Sequence, residues 1–460
     1  MISITSLITF FYRFINKNTD LTKGNIPKQL LFFAIPFLLS NLMQILYNVS
    51  DTLIISRALG ASAVSASNNG GQIINIVINV VSGLALGGTV LIGQLRGKKD
   101  EENLKKAVGT FLSLMVIIGF FLTIFFIFYA KNLLIFLNTD PLVLNDAVDF
   151  LKIYSYAIIF IFGYNSIVAI SRGVGNSFTP FLFVLISVIV NIILDLLFVY
   201  TFSWGIRGAA YATTISIILS FIMSLIFLIK QTDIFVFKPE TFKIHFKLAK
   251  KILFVGIPSG IQSSIFGLSI LFITSFVNRY GITASATIGI GSKIDSMFLL
   301  PLIAIASASA AMIAQNLGAG EYERITKTIK ATLFYNLIMA VIFFGAAQLF
   351  PTVFFKMFTN DNAIIEMGIL YMRWASFNYL FIAFLQTYNS LAIGVGNTVF
   401  ALCTTIMNGF VFRVPIAYVM ENYFGLGIIG LFIGLGFANL GGSVAGYIYY
   451  KIGFWKKFKL

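Results

Sequence analysis

Three aspartates lie inside long apolar stretches of the sequence, where an acid could bind a proton or a cation; they are Asp51, Asp195 and Asp295. Asn191 precedes Asp195 by four residues, so the amide and the carboxylate share one face of a helix. A carboxylate in hydrocarbon is costly when ionised, unless a cation or hydrogen-bond donors stabilise it. No Lys or Arg lies deep in the membrane interior of the same half of the chain. We therefore expect Asp51, Asn191 and Asp195 to bind a proton or a sodium ion reversibly.

The third acid, Asp295, leaves two interpretations open. Two basic residues, Lys293 and Arg413, also fall within apolar stretches and are available to pair with it. Asp295 is therefore either an acid that faces a hydrated cavity or a buried acid paired with one of these two bases.

Polar side chains also follow the first two apolar stretches at helical spacing. Steps of three or four residues place them on one face of each helix. Polar groups in hydrocarbon must be satisfied, so these faces predict a water-filled cavity between the two halves of the chain. The alternative is hydrogen bonding that only holds neighbouring helices together. The residues are Asn41, Gln44 and Asn48, which lead to Asp51 in the first stretch, and Asn68, Gln72, Asn75 and Asn79 in the second.

The composition excludes a soluble protein and several kinds of chemistry. Hydrophobic residues make up 58% of the 460 residues and charged residues only 11%, against about 25% charged in a typical soluble domain. Cys403 and His245 are the single cysteine and the single histidine, too few for a disulfide within the chain or a His/Cys zinc site. The sequence contains no P-loop motif and no pair of adjacent aspartates to hold a metal–diphosphate substrate. We expect neither an enzyme nor a bound cofactor, and therefore a process driven by an ion gradient or by the gradient of the substrate.

The apolar stretches predict an all-α polytopic membrane protein of about twelve transmembrane helices. Matching residues recur at a constant offset of 221, as in Asp140 and Asp361 or Gly173–Asn176 and Gly394–Asn397. This offset indicates two six-helix lobes, related by a pseudo-two-fold axis along the membrane normal. The predicted organisation is an N-terminal segment 1–29, a first lobe 30–230, a linker 231–250, a second lobe 251–450 and a basic tail 451–460.

The basic residues predict the orientation in the membrane. Placing both termini in the cytoplasm puts 23 of the 32 Lys and Arg residues on the cytoplasmic side and 7 on the opposite side. The net charge of +15 therefore reflects membrane topology and not binding to nucleic acid. The apolar run Ile2–Phe11 is too short to span the bilayer, and we expect it to form an interfacial helix.

These features resemble the multidrug and toxic compound extrusion (MATE) family, within the multidrug/oligosaccharidyl-lipid/polysaccharide exporter superfamily. The resemblance covers residues 25–450 and includes the two six-helix halves, Pro36 fifteen residues before Asp51, Gln94 with Gly97, and Gly173–Asn176. It implies that Pro36 is the point at which the first helix bends when a cation binds. It also implies a proton or sodium site in the first lobe, formed by Asp51, Asn165, Asn191, Asp195 and Thr213.

The second lobe departs from some members of that family, which carry a sodium-binding glutamate on helix seven and an aspartate on helix ten. Here those helices offer Gln262 and Gln386 and no acid at these points. We therefore expect coupling through the first lobe. The residues predicted to line the cavity or contact the substrate are Gln44, Asn48, Asn68, Gln72, Asn75, Gln262, Lys293, Asp295 and Gln386.

The predicted function is an antiporter of the cell membrane that exports cationic or amphipathic small molecules in exchange for H⁺ or Na⁺, by alternating access. We expect a monomer in the bilayer. A flippase for lipid-linked oligosaccharide is the nearest alternative, although such proteins often line their cavity with several basic residues and only Lys293 and Arg413 are candidates here. A membrane-embedded enzyme and a channel are more distant alternatives.

Overall fold

The computed structural model describes residues 19–458, and the predicted segment Ile2–Phe11 lies outside this range. The described residues are α-helical and contain no β-strand. The helices of the first half are α1 (Ile26–Lys98), α2 (Glu101–Phe136), α3 (Pro141–Ser155), α4 (Ile158–Gly173), α5 (Phe178–Asp195) and α6 (Gly205–Lys230).

The second half follows after a linker that contains a short 3₁₀ turn, Pro239–Phe242. Wider π-helical turns interrupt the spans at Leu196–Thr201, Met407–Arg413 and Val419–Tyr423. The helices are α7 (Phe246–Val277), α8 (Ile282–Gly318), α9 (Tyr322–Leu349), α10 (Pro351–Lys356), α11 (Asn362–Ala375), α12 (Phe377–Val395), α13 (Thr398–Ile406), α14 (Val414–Tyr418), α15 (Ile428–Gly436) and α16 (Leu440–Ile452).

The predicted number of about twelve spans is confirmed within residues 19–458. Nine continuous helical segments there are long and apolar enough to cross a membrane, and two bent pairs, α3 with α4 and α11 with α12, raise the number to eleven. The 73 residues of α1 would extend about 110 Å if straight, far more than one hydrocarbon core. At Gly60 the backbone leaves the helical region (φ 81°, ψ −174°), so α1 contains two spans.

The internal duplication is visible in the turns that join the helices. Gly60 and Gly281 lie 221 residues apart and share nearly the same backbone angles, with φ of 81° and 88° and ψ of −174° at both. Asp140 and Asp361 each cap the next helix, accepting a backbone N–H at 2.8 Å and 2.9 Å. Helix breaks in the two halves therefore use the same residue at the same offset, because each break requires the same local geometry.

Contacts within the molecule divide the described residues into two units. The first consists of residues 35–260 with Thr19 and Asp20, and the second of residues 21–34 and 261–458. The division falls inside α1 between Ala34 and Ile35, next to Pro36, and inside α7 between Gly260 and Ile261, shortly after Pro258. Each proline removes one backbone hydrogen bond from the interior of its helix and favours a kink there.

The linker between α6 and α7 packs against α2. The side chain of Ser113 donates to the carbonyl of Phe242 at 2.8 Å, and the backbone N–H of His245 donates to the hydroxyl of Thr110 at 3.1 Å. Gly109 permits this approach, because a Cβ there would lie 1.7 Å from the carbonyl oxygen of Thr241. The linker is therefore a structured part of the first unit.

We predict that Gly60→Ala destabilises the protein by about 1–3 kcal/mol, because the backbone angles at Gly60 are accessible almost only to glycine. Thermal unfolding in detergent, followed by circular dichroism, measures the effect. Gly71→Ala is the matched control, because Gly71 is helical and a Cβ there would meet nothing within 4 Å. Equal unfolding temperatures for the two variants would contradict the assignment of Gly60 as a conformational requirement.

Candidate acid cluster in the first half

Asp51 and Asp195 come from distant parts of the sequence and meet in the first unit. Asp51 lies in the first span of α1 and is half-buried, whereas Asp195 is the last residue of α5 and is completely buried. Asn191 is also completely buried, one turn before Asp195. The carboxyl groups of Asp51 and Asp195 lie close enough for their charges to interact. The α-helix passes into the π-helical turn Leu196–Thr201 directly after Asp195, so the acid lies at a change of helical geometry.

Several buried polar atoms of this cluster form no well-formed hydrogen bond among the described residues, although the side chain of Asn191 lies close enough to interact with the Asp195 carboxylate. They are one carboxylate oxygen of Asp51, both carboxylate oxygens of Asp195, and the amide nitrogen and oxygen of Asn191. More than nine in ten buried polar groups in proteins are hydrogen-bonded, so several unpaired oxygens in one cluster require an explanation. Oxygen atoms of this kind are the groups that accept a proton or bind a hard cation such as Na⁺.

Thr213 and two tyrosines complete the cluster. The hydroxyl of Tyr47 donates to the hydroxyl of Thr213 at 3.0 Å, and Thr213 is buried. Tyr47 interacts electrostatically with Asp51 and Asp195, and Tyr154 of α3 interacts with Asp51. Neither tyrosine was among the residues predicted for this site. Tyr47 precedes Asp51 by four residues, a spacing that could have identified it, but Tyr154 belongs to another helix and carries no local signal.

Asn165 is the member of the predicted set that the structure does not join to the others. Its amide donates to the carbonyl of Ile161 in its own helix at 2.8 Å, and its side chain is half-buried in α4. No hydrogen bond joins Asn165 to Asp51 or Asp195 in the described part of the chain. The structure therefore brings together Asp51, Asn191, Asp195 and Thr213.

The side chains of the predicted polar faces are mostly exposed. Gln262 of α7 is half-buried and donates to the hydroxyl of Thr405 at 3.0 Å, and Gln386 of α12 is also half-buried. Their contact with a substrate stays a prediction. The exposed side chains are Gln44, Asn48, Asn68, Gln72 and Asn75.

The alternative in which Asp295 pairs with Lys293 or Arg413 is wrong. Its two carboxylate oxygens accept hydrogen bonds from the hydroxyls of Tyr371 and Tyr379. Lys293 is exposed and forms no ion pair with Asp295 in residues 19–458. Arg413 is buried, but its guanidinium donates to Ser269 and lies 5.3 Å from the ring centroid of Phe266. Lys293 and Asp295 are two positions apart in the sequence, and side chains at this spacing do not face each other on a helix.

Pro36, the predicted hinge, lies inside α1 next to the division between the two units. Its carbonyl accepts a hydrogen bond from the hydroxyl of Ser40 at 2.7 Å. The next residue, Phe37, forms a cation–π contact with Arg172, whose guanidinium lies 4.1 Å from the centroid of the Phe37 ring. In the described residues, no group of three or more His, Cys, Asp or Glu side chains could hold a metal ion.

Comparison with known proteins identifies the family. The MatE family model matches residues 36–197 and 258–419, so it matches each half of the chain once. The chain is 31% identical over 446 residues to the probable multidrug resistance protein YpnP of Bacillus subtilis, covering 96% of this chain and 99% of that one. It is 26% identical over 457 residues to the probable multidrug resistance protein NorM of Thermotoga maritima, covering 95% of each chain.

A solved structure described as MATE in the bent conformation has the same fold. It superimposes with a TM-score of 0.90 at 23% sequence identity, covering 96% of this chain and 99% of that chain. The family model, the relatives and the fold agree, and the chain belongs to the MATE family of multidrug and toxic compound extrusion transporters.

Proposed function

We propose that the protein is an antiporter that exports cationic or amphipathic small molecules across the cell membrane in exchange for H⁺ or Na⁺. One observation carries the proposal: the acid cluster of Asp51, Asn191 and Asp195 contains several buried oxygens that form no well-formed hydrogen bond in residues 19–458. A buried acid that only stabilised the fold would be hydrogen-bonded or paired with a base. Export of drug-like compounds is supported by the multidrug resistance relatives.

The two acids act as one cation site. When both carboxylates are ionised, their like charges repel in a region of low dielectric constant. One proton, or one Na⁺ bound by carboxylate and amide oxygens, removes that repulsion and compensates for the loss of water. Tyr47 and Thr213 hold α1 against α6 beside this site through their hydrogen bond, so a change in occupancy acts on α1.

Transport follows from a difference in cation affinity between two conformations. In the outward-facing state the cluster takes up the cation, α1 bends at Pro36, and the substrate leaves. In the inward-facing state the cation is released to the cytoplasm and a new substrate binds to the exposed polar residues. Both termini lie in the cytoplasm, the transporter works as a monomer, and the bilayer surrounds its apolar spans.

We predict that Asp51→Asn and Asp195→Asn each reduce gradient-driven efflux to the rate of protein-free liposomes, because an amide cannot exchange a proton and holds a cation less well than a carboxylate. Fluorescent-dye efflux from proteoliposomes provides the measurement. Circular dichroism on the same preparations shows that the variants are folded.

The matched control for these variants is Asp146→Asn, which neutralises an exposed acid of α3. Asp146→Asn should transport at the rate of the unmodified protein. Full efflux by Asp51→Asn would remove Asp51 from the coupling mechanism.

We predict that efflux responds to an imposed pH gradient or an imposed Na⁺ gradient when each is applied separately to proteoliposomes. Labelled substrate should also be taken up faster when unlabelled substrate is present on the opposite side, as alternating access requires and a channel does not. A transporter that responds to neither gradient would contradict antiport. Stimulated uptake of a lipid-linked oligosaccharide instead of a cationic dye would favour the flippase.

A further inference from the structure

The second half holds an acid that the proposed cycle does not use. Asp295 lies within the span α8 and is half-buried, and each of its carboxylate oxygens accepts one tyrosine hydroxyl, from Tyr371 and from Tyr379. Both tyrosines are almost completely buried, at 1% exposure. An ionisable residue inside a span is costly to maintain, so its presence indicates a function unless a base neutralises it.

The two tyrosines lie on opposite sides of a break in one span. Tyr371 belongs to α11 and Tyr379 to α12, and these helices meet at an angle of 42° around Ser376. Gln348 of α9 donates to the hydroxyl of Ser376 at 2.8 Å and to the carbonyl of Arg373 at 2.9 Å, which satisfies polar groups at the break. The Asp295 carboxylate therefore connects both arms of the bent span to α8.

Aromatic packing fixes the positions of both tyrosines. The ring of Tyr371 lies over Gly291, where a Cβ would come within 2.4 Å of it, and 5.3 Å from the ring centroid of Phe432. The ring centroid of Tyr379 lies 5.5 Å from that of Phe298. Because the rings are held in place, the hydroxyl hydrogens are the parts of this cluster that can reorient most easily.

The duplicated fold does not require this cluster. The positions 221 residues before Asp295, Tyr371 and Tyr379 are all apolar. Conversely, the positions 221 residues after Tyr47 and Asp51 are also apolar. Each half thus contains a cluster of acid and tyrosine side chains, but the two clusters occupy different positions of the duplicated fold. The first-half counterparts of the cluster are Ile74, Phe150 and Ile158, and the second-half counterparts of Tyr47 and Asp51 are Leu268 and Phe272.

The charged groups around Asp295 leave it without a neutralising partner. The titratable groups that interact with Asp295 in residues 19–458 are Tyr371 from α11 and Tyr379 from α12. Arg413, from the π-helical turn, interacts with Tyr371 and not with the carboxylate. Lys293 of the same helix is exposed, and no group from α9, α10 or the turn Asn278–Tyr280 interacts with Asp295 within the described range.

We propose that Asp295 is a second proton-binding carboxylate of the transporter, with Tyr371 and Tyr379 as its hydrogen-bond partners. The proposal builds on the proposed antiport function and adds a proton site in the second half. The incoming proton forms an O–H bond at one carboxylate oxygen, and this new hydroxyl must donate to an acceptor. The nearest acceptors are the tyrosine oxygens, so one tyrosine hydroxyl turns its own hydrogen away and one of the two tyrosine-to-carboxylate bonds reverses.

Protonation therefore weakens the connection between α8 and one arm of the bent span. With Asp295 ionised, both tyrosines donate and the two arms are held together. With Asp295 protonated, one of these bonds is replaced by a weaker neutral one, because charge-assisted hydrogen bonds are about twice as strong as neutral ones. The bend between α11 and α12 then becomes easier to change, and the second half responds to pH by itself.

Infrared difference spectroscopy between low and high pH tests the proposal. The protein used is the Asp51→Asn, Asp195→Asn double variant in lipid, which lacks the acids of the first half. We expect a carbonyl band of a buried carboxylic acid to appear as the pH is lowered. The band should be lost in the further variant Asp295→Asn and shifted to higher frequency in Tyr371→Phe and Tyr379→Phe, because the acid loses a hydrogen-bond partner.

Glu366→Gln in the same background is the control, because Glu366 is an exposed acid of α11 and its removal should leave the buried band unchanged. The tyrosine variants retain the core volume and test the proposal if Asp295→Asn does not fold. Absence of a titrating buried band, or a band that persists in Asp295→Asn, would overturn it. The measurement needs neither substrate nor gradient, so a failure of efflux would contradict the antiport function and leave this result intact.

Discussion

The cost of keeping a charge away from water determines the organisation of this transporter. In the membrane interior, a polar group must be paired within the protein, reach water, or bind something that replaces water. Asp295 meets this requirement through two tyrosine hydroxyls. Asp195 and Asn191 are both completely buried, and they interact with each other but form no well-formed hydrogen bond within the described chain. The two acid sites of the molecule therefore differ in how far the folded protein itself satisfies their carboxylate oxygens.

The duplicated scaffold separates structural residues from residues that carry chemistry. Gly60 and Gly281 have the same unusual backbone angles, and Asp140 and Asp361 cap equivalent helices. These residues repeat because both halves need the same turns. The intramembrane acids do not repeat. An acid is costly wherever it is buried, and the two halves carry their intramembrane acids at different places.

Residue spacing and the family resemblance each contributed residues to the predicted first-half cluster. Asn191 and Asp195 share a helix face by their spacing alone, and the resemblance to the family associated them with Asp51 and Thr213. In the structure, Asp51 interacts with Asp195, and Tyr47 connects both acids with Thr213. Tyr154 could not be predicted, because its contact with Asp51 joins two helices that are separate in sequence. The alternative in which Asp295 pairs with a base was wrong for the same kind of reason. Lys293 is close in sequence but exposed, whereas the actual partners lie 76 and 84 residues away.

By itself, the sequence determined that the chain spans a membrane many times, that its two halves are copies, and that few acids lie inside it. Hydropathy, charge and internal repetition are properties of the residues in order, so no folded structure is needed to read them. Only the tertiary structure decided which polar groups meet. Helices that are distant in sequence become neighbours through packing, and packing places Asp51 near Asp195 and gives Asp295 two tyrosines as hydrogen-bond partners.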